Sequence, residues 1–158
     1  MDSQPAHNRH MEAVRKFLCM LGSRMTLCVQ DVTESCNMGR HEFLAVRALA
    51  LYGSMTVKEL AGHTEGASLS TMTRVLDRLE AQGLAERRTD PGDRRSFLVV
   101  LTPEGEKLSE RFMDSVGVLA EEMLERLSEQ ERAAFVDVAE KLSGGEACPL
   151  KRLFKSKS

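Results

Sequence analysis

The 158-residue sequence has few aromatic residues, which make up 4% of the chain, and it has no tryptophan. It also contains no apolar run of the roughly 20 residues that a membrane-spanning helix needs. Its first ten residues, MDSQPAHNRH, do not join a basic segment to an apolar one, as a secretory signal does. A transmembrane or secreted protein is therefore a poor interpretation, and we expect a cytoplasmic one.

Several patterns that define common functional classes are also missing. The sequence has no Gly-rich phosphate loop, nucleophile elbow or HExxH pattern, so we predict neither an enzyme nor a cofactor. The net charge of −2 argues against a histone-like coat of positive charge but says little about a local basic patch. No CxxC pair occurs, so reduced thiols are expected rather than a disulfide scaffold. The cysteines are Cys19, Cys28, Cys36 and Cys148.

The residues that are abundant favour packed helices. Hydrophobic residues make up 42% of the chain and are mostly Leu, Val, Ala and Met, enough for one ordinary domain. Apolar residues at alternating steps of three and four predict a long first helix. This stripe is either one face of a core helix or a seam shared with a second chain. Its members are Met11, Val14, Leu18, Leu21, Met25, Cys28 and Val32.

Capping residues predict where the following helices begin and end. The segment RHEFLAVRALALYG predicts a buried second helix. Thr56 with Glu59 forms a capping box that begins a short helix at Val57. Ser68 caps a longer helix that ends at Gly83.

A β-hairpin and two helices are predicted for the rest of the chain. The runs LAERR and SFLVVL are joined by TDPGD, a turn in which Pro presets φ and Gly permits a positive φ. Thr102 and Pro103 have the character of an N-cap and a first helical residue. Ser128 with Glu131 forms a second capping box, which begins the last helix.

The order of these elements is that of a winged helix-turn-helix. Small hydroxyl side chains let a helix lie deep in the major groove of DNA, where they bond phosphates or base edges. An arginine on the same face reaches a guanine or a phosphate. The alternative interpretation is a solvated helix face. The candidate DNA contacts on this helix are Ser68, Ser70, Thr71, Thr73, Arg74 and Arg78.

The hairpin carries arginines at its feet and at its tip, which is typical of a wing that enters a minor groove. Asp93, two residues before Arg95, is placed to hold that guanidinium extended through a charge-assisted bond. The alternative is a solubilising charged turn. The candidate wing contacts are Arg87, Arg88, Asp93, Arg94 and Arg95.

These residues resemble the MarR family of bacterial transcription regulators. The stretch from Ser68 to Gly105 is similar to that family's recognition helix and wing, through the helix pattern S-x-S-T-x-T-R and the D-x-R of the wing. Leu101 and Thr102 match the "LT" that ends the second wing strand. The segment EFLAVRALALYGSMTVKELA resembles the family's preceding helices, so the similarity covers roughly residues 38 to 145.

The resemblance implies a mainly α fold with a small β-hairpin wing and terminal dimerisation helices. Residues 1–36 would form the N-terminal dimerisation helix, residues 38–102 the DNA-binding lobe, and residues 103–158 the C-terminal dimerisation helices and tail. It further implies a homodimer that binds double-stranded DNA at a pseudo-palindromic operator. Such a regulator would act as a repressor and respond to a small aromatic or anionic effector.

Members of this family also respond to oxidants through a cysteine. Cys19, in FLCML, resembles the reactive cysteine on the first helix of the peroxide-sensing branch. The only tyrosine of this chain is Tyr52, so the tyrosine partners of that branch are missing. The apolar neighbours of Cys19 favour an inert core thiol, with an oxidant-sensing regulator as the alternative.

Residues near the start of the second helix are candidates to bind two other kinds of signal, a metal ion and an organic anion. Cys36, His41 and Glu42 resemble part of the zinc site of a zinc-responsive branch, but no histidine follows His63 to complete it. We therefore predict no metal. His41 and Arg47 are candidates to orient an organic anion between the dimer helices and the DNA lobe.

A winged-helix module that docks proteins and has lost DNA binding is the competing class of function. Such a module is expected to have lost its wing arginines, and this chain retains them. An electrophoretic shift with random duplex DNA separates the two interpretations.

Overall fold

The computed structural model describes residues 3–64, 66–93 and 96–144. The chain is mainly helical with one small sheet, which confirms the predicted fold class. The helices are α1 (Ser3–Ser35), α2 (Arg40–Tyr52), α3 (Val57–His63), α4 (Leu69–Ala81), α5 (Pro103–Glu125) and α6 (Glu129–Leu142). The strands are β1 (Met55–Thr56), β2 (Ala85–Thr89) and β3 (Phe97–Leu101).

The capping residues predicted for α3 and α4 are confirmed. The Thr56 hydroxyl accepts the backbone N–H of Glu59 at 3.3 Å, and the Ser68 hydroxyl accepts that of Thr71 at 3.1 Å. Each bond satisfies an N–H that has no partner inside the helix. After α4 the chain turns at Gly83, whose φ of +70° lies in the region that glycine adopts most readily.

The start of α5 is bonded to the turn that follows α4. The Thr102 hydroxyl donates to the Gly83 carbonyl at 2.5 Å, and the Thr102 backbone N–H donates to the Leu84 carbonyl at 3.1 Å. The same hydroxyl accepts the Gly105 N–H at 3.2 Å, which confirms Thr102 as the N-cap. The wing and α5 are therefore joined by direct bonds, without a flexible linker.

The predicted hairpin is confirmed, and a third strand that the sequence did not predict completes the sheet. Strands β2 and β3 pair antiparallel from Ala85 opposite Leu101 to Thr89 opposite Phe97. Strand β1 pairs with the other edge of β3, with Met55 opposite Val99. Two residues are too few to show a period-two pattern, so β1 leaves no signal in the sequence.

The turn between β2 and β3 does not use the mechanism expected for it. Gly92 has no positive φ, which contradicts the sequence interpretation. Instead its backbone N–H donates to the Asp90 carboxylate at 2.8 Å, and the Asp93 N–H donates to the Asp90 carbonyl at 3.2 Å. An aspartate that bonds the backbone two residues on forms a turn without left-handed backbone.

The core lies where α2, α4 and α5 meet the sheet. Phe43 of α2 packs edge to face on Phe112 of α5, with 5.1 Å between the ring centroids. Aromatic pairs favour this geometry, and it joins the second and fifth helices. The largest fully buried apolar side chains are Leu60, Met72, Leu76, Leu79 and Val99.

The apolar stripe of α1 is buried only towards its C-terminal end. Val32 is 3% exposed, whereas Met11 is 58% and Leu18 is 59% exposed. Cys19 is also exposed, so its interpretation as a core thiol is wrong for the single chain. The reason is that the first half of α1 extends past the core that the rest of the chain provides. Within the described residues, no helix is long and apolar enough to cross a membrane.

Gly105 and Gly117, both in α5, provide a matched test of how closely α5 packs against Leu84. A Cβ at Gly105 would lie against the Leu84 carbonyl, well inside van der Waals contact, and 3.0 Å from a Leu101 methyl carbon. We expect Gly105→Ala to lower the free energy of unfolding by about 2 to 3 kcal/mol in urea titrations, as overpacking does. Gly117 has no such neighbour within 4 Å.

Gly117→Ala is the control for this prediction. It should raise the free energy of unfolding by up to about 1 kcal/mol, because alanine favours the helical backbone. Equal stability of the two variants would contradict the close approach of α5 to Leu84.

Candidate nucleic-acid interface

The short helix α3 is held in place at both of its ends. At its start, the Thr56 backbone N–H and hydroxyl both donate to the Glu59 carboxylate at 2.8 Å. These bonds lower the pKa of Glu59, the backbone bond contributing most, because they stabilise the ionised carboxylate. At its end, the buried Thr64 hydroxyl donates to the Leu60 carbonyl at 2.8 Å. The turn that leads from α3 into α4 is thereby fixed to α3.

Helix α4 has one buried apolar face and one polar face. The buried side chains are Met72, Val75, Leu76 and Leu79. On the opposite side, Ser70, Thr73 and Arg74 are exposed. Their helical spacing produces this division, since apolar residues recur every three or four positions. The first half of α4 therefore presents the predicted hydroxyls and an arginine to the exterior.

The hydroxyls at the start of α4 form a connected cluster. The Ser68 oxygen lies 2.8 Å from that of Ser70 and 2.9 Å from that of Thr71. The Thr73 hydroxyl donates to the Leu69 carbonyl at 3.0 Å. These contacts hold short polar side chains close to the helix, so a groove wall can approach the backbone.

Three of the predicted contact arginines have carboxylate partners among the described residues, whereas Arg74 does not. Arg78 donates from Nη1 to Oε1 of Glu42, on α2, at 2.8 Å. In the part of the chain that the structure describes, no hydrogen bond or ion pair engages the Arg74 guanidinium. Arg74 is thus available for a ligand that approaches the first half of α4.

Arg87, the second of these arginines, joins the wing to α4. Its Nη2 donates to Asp77 at 2.9 Å, and its Nη1 pairs with Glu80. The Arg87 backbone N–H also donates to the Glu80 carboxylate at 3.1 Å. A planar guanidinium that binds two carboxylates on one helix fixes the angle between β2 and that helix.

Arg88, the next residue along β2, pairs within the wing. Arg88 is exposed and its Nε donates to Glu86, on the same strand, at 2.6 Å. The Asp93 carbonyl accepts the Ser96 N–H at 2.8 Å. Arg94 and Arg95 lie outside the described residues, so their predicted roles and the Asp93–Arg95 bond stay predictions.

Sequence comparison identifies the family of this fold. The model described as MarR family matches residues 39–97, which run from the start of α2 into β3. The organic hydroperoxide resistance transcriptional regulator of Bacillus subtilis strain 168 is 33% identical over 104 residues, covering 65% of this chain and 70% of the relative. The chain belongs to the MarR family. Another relative, the HTH-type transcriptional regulator YsmB of the same organism, is 28% identical over 135 residues, covering 85% of this chain and 90% of YsmB.

Solved structures similar to this MarR-family chain share its fold. The transcriptional regulator Tm0710 from Thermotoga maritima superposes with a TM-score of 0.72 at 23% identity, covering 94% of this chain and 99% of Tm0710. Staphylococcus aureus MepR bound to an oligodeoxyribonucleotide gives 0.63 at 21% identity, covering 83% and 96%. NadR in complex with 4-hydroxyphenylacetate gives 0.57 at 25% identity, covering 81% and 89%. These structures show the winged helix-turn-helix fold, and the family match above makes the chain a MarR-family transcriptional regulator.

The candidate effector residues of this MarR-family chain do not converge on one point. His41 and Arg47 are six residues apart on α2, which places them about 120° apart around the helix axis. The Arg47 guanidinium carbon lies 5.7 Å from the centroid of the Phe112 ring, a cation–π geometry. Their role with an organic anion stays a prediction.

The weak metal candidates are likewise not gathered into a site. The Glu42 carboxylate is buried and already bonded within the chain. The Cys36 sulfur accepts from Nη1 of Arg111 at 3.5 Å. Across the ranges that the structure describes, no three His, Cys, Asp or Glu side chains come close enough to hold a metal ion.

The ion pairs of Arg78 and Arg87 were missed by sequence reasoning, although one signal was present. Glu42 stands at helical spacing with Val46 and Leu49, which predicts a carboxylate on the buried face of α2. A carboxylate in that position needs a cation nearby. The sequence does not say which arginine supplies it.

Arg87→Ala should show that this side chain supports the wing. The two carboxylates are partly exposed, so we expect a loss of about 1 kcal/mol in the free energy of unfolding, measured by urea titration. In a double-mutant cycle with Glu80→Gln, the losses should be less than additive. Arg88→Ala is the control and should cost less than about 0.5 kcal/mol, because its pair is exposed. Fully additive losses at positions 80 and 87 would contradict the pairing.

Proposed function

We propose that this MarR-family regulator binds DNA with sequence specificity as a homodimer and represses transcription from a pseudo-palindromic operator. The observation that carries the proposal is the polar half of α4, where exposed hydroxyls and the unpaired Arg74 stand beside a basic hairpin. The similar S. aureus MepR structure, which contains an oligodeoxyribonucleotide, supports it.

In this proposal the first half of α4 enters the major groove. The groove admits one α-helix, and the short side chains of Ser70, Thr71 and Thr73 let the helix backbone approach the bases. Arg74, one turn along from Ser70, reaches a guanine edge or a phosphate. The first turn of α4 also leaves backbone N–H groups directed outward, which favour a phosphate.

The wing contributes contacts of another kind in the proposed complex. A hairpin with arginines at its tip fits a narrow minor groove, where the negative potential is strongest. Arg88, Arg94 and Arg95 are the proposed contacts, and the last two are proposed from the sequence alone. Such contacts read the shape of the groove more than the identity of the bases.

A second copy of the chain is the proposed partner of the exposed apolar surface. Helix α6 has no buried residue, and Leu142 is 83% exposed. Phe17 of α1 and Phe135 of α6 meet edge to face at 6.5 Å, beside a largely apolar cavity of about 380 Å³. Apolar surface at the start of α1 and along α6 is what a symmetric dimer buries.

We also propose that a small effector changes the affinity of the dimer for DNA. An effector acts only if it binds one spacing of the two lobes more tightly than another. The similar NadR structure contains 4-hydroxyphenylacetate, which supports an aromatic anion as the class of ligand.

Arg74→Ala tests the DNA-binding proposal. A duplex selected by the wild-type protein from a random pool provides the probe. If Arg74 bonds a guanine edge, binding should weaken by about 1 to 3 kcal/mol and preference should relax at one position of each half-site. If it contacts phosphate, log Kd should depend less steeply on log salt, by about one unit per contact.

Lys107→Ala is the control for Arg74→Ala. Lys107 is an exposed cation on α5, outside the proposed interface, and its replacement should leave both the affinity and its salt dependence unchanged. If the wild-type protein selects no duplex from the random pool at low salt, the protein-docking interpretation takes the place of this proposal.

Val14→Glu combined with Leu18→Glu tests the dimer. Both side chains are more than half exposed in the single chain, so the charges should not disturb its fold. In the proposed dimer they would be buried without partners, so sedimentation equilibrium should show a monomer where the wild type is a dimer. Gln30→Glu, which adds a charge at an exposed position of the same helix, should remain dimeric. A monomeric wild type at tens of micromolar would contradict the proposal.

A further inference from the structure

One charged side chain of α2 is buried in a place that the DNA-binding proposal does not explain. The Glu42 side chain is 3% exposed. Its Oε2 accepts the Gly39 backbone N–H at 2.6 Å, which caps the start of α2. Its Oε1 faces α4 and accepts from Arg78 at 2.8 Å. A buried carboxylate needs both the hydrogen bond and the opposite charge to offset its lost hydration.

We infer that Arg78 is a positioning residue of the recognition helix, which it orients through Glu42, and that it is not a DNA contact. The inference rests on the proposed DNA-binding function and assigns Arg78 a different role from its neighbours on α4. Arg78 is 70% exposed and therefore looks like a side chain free to meet a phosphate. Its guanidinium is nevertheless bound to Glu42, whose buried carboxylate forms no other ion pair among the described residues.

A DNA phosphate cannot take over this guanidinium without leaving a buried charge behind. If Arg78 turned towards DNA, Glu42 would retain only the Gly39 N–H bond and no opposite charge. An unpaired charge away from water is costly, so the pair with Glu42 is kept when DNA is present. In this inference, the exposed N–H groups of Arg78 add positive potential near the DNA and do not bond a phosphate.

The Glu42–Arg78 pair also connects the recognition helix to the end of α1. Gly39, which Glu42 caps, follows Met38, whose backbone N–H donates to Thr33 of α1 at 2.8 Å. From the other side, Arg111 of α5 donates to Ser35 of α1 at 3.2 Å. A continuous set of bonds therefore runs from α5 through the end of α1 and the start of α2 to α4.

The test uses three full-length variants, Glu42→Gln, Arg78→Gln and the double variant. Glutamine has the shape of glutamate and still accepts the Gly39 N–H, so Glu42→Gln removes the charge while leaving Arg78 free for any phosphate. For each variant, the affinity for each of two duplexes is measured over a salt titration. One duplex is selected by the wild type from a random pool, and the other has the same composition in scrambled order. Urea unfolding confirms that each variant is folded under the assay conditions.

If Arg78 is a positioning residue, both single variants lower the ratio of selected to scrambled affinity by about tenfold, a size typical of coupled sites. Base contacts need the helix at a definite angle, whereas phosphate contacts tolerate a small error. The double variant is no worse than Arg78→Gln, and the salt dependence of all three matches the wild type. Partial unfolding would lower both affinities alike and leave the ratio unchanged.

Other results would overturn the inference. If Glu42→Gln has the same ratio of selected to scrambled affinity as the wild type, DNA recognition does not need the pair. This variant decides the question even if Arg78→Gln does not fold. A salt dependence in Arg78→Gln that is shallower by about two units shows one direct phosphate contact in each half of the dimer. If the wild-type protein selects no duplex from the random pool, the proposed function itself is contradicted, and the inference falls with it.

Discussion

A helix that offers one whole face to a ligand has only its other face with which to hold its position, and this constraint governs α4. Its buried stripe of four apolar side chains resists removal of the helix from the core but resists rotation about its own axis less well. The charged residues in the second half of α4 supply that resistance. Arg78 bonds to α2 on one side, and Asp77 and Glu80 bond to Arg87 of the wing on the other. The second half of α4 therefore holds the helix in position, and the exposed side chains of the first half remain available to a ligand.

The sequence predicted well those features that neighbouring residues determine. Helix starts at Thr56, Ser68, Thr102 and Ser128 were found because a cap and its N–H partner lie within three residues of each other. Contacts between distant residues were not found. Strand β1 exists because Met55 reaches Val99, and no local pattern marks that pairing. The partners of Arg78 and Arg87 were missed for the same reason, since an exposed arginine on a helix has the same sequence signature whether its partner is DNA or a carboxylate.

The first half of α1 carries an apolar stripe that the single chain does not bury. Its apolar spacing is typical of a buried helix, yet the chain leaves Met11, Val14 and Leu18 exposed, and Cys19 with them. The periodicity indicated an apolar surface, which the proposed dimer would bury. It carried no information on whether the covering surface belongs to the same chain or to another one, because the hydrophobic effect does not distinguish between them. The error about Cys19 follows directly from that ambiguity.

The contact between Gly105 and Leu84 has a mechanical consequence. The backbones of Gly105 and Leu84 are in close contact there, and Thr102 bonds across the same junction. The winged-helix lobe and the first turn of α5 are therefore rigidly connected. Helix α5, with 23 residues, is about 34 Å long. It therefore acts as a lever arm: a tilt of about 5° at its far end displaces the lobe by about 3 Å. A displacement of that size is comparable to the rise of one base pair, so if α4 binds a groove of DNA as proposed, a small motion at the far end of α5 would shift it along that groove.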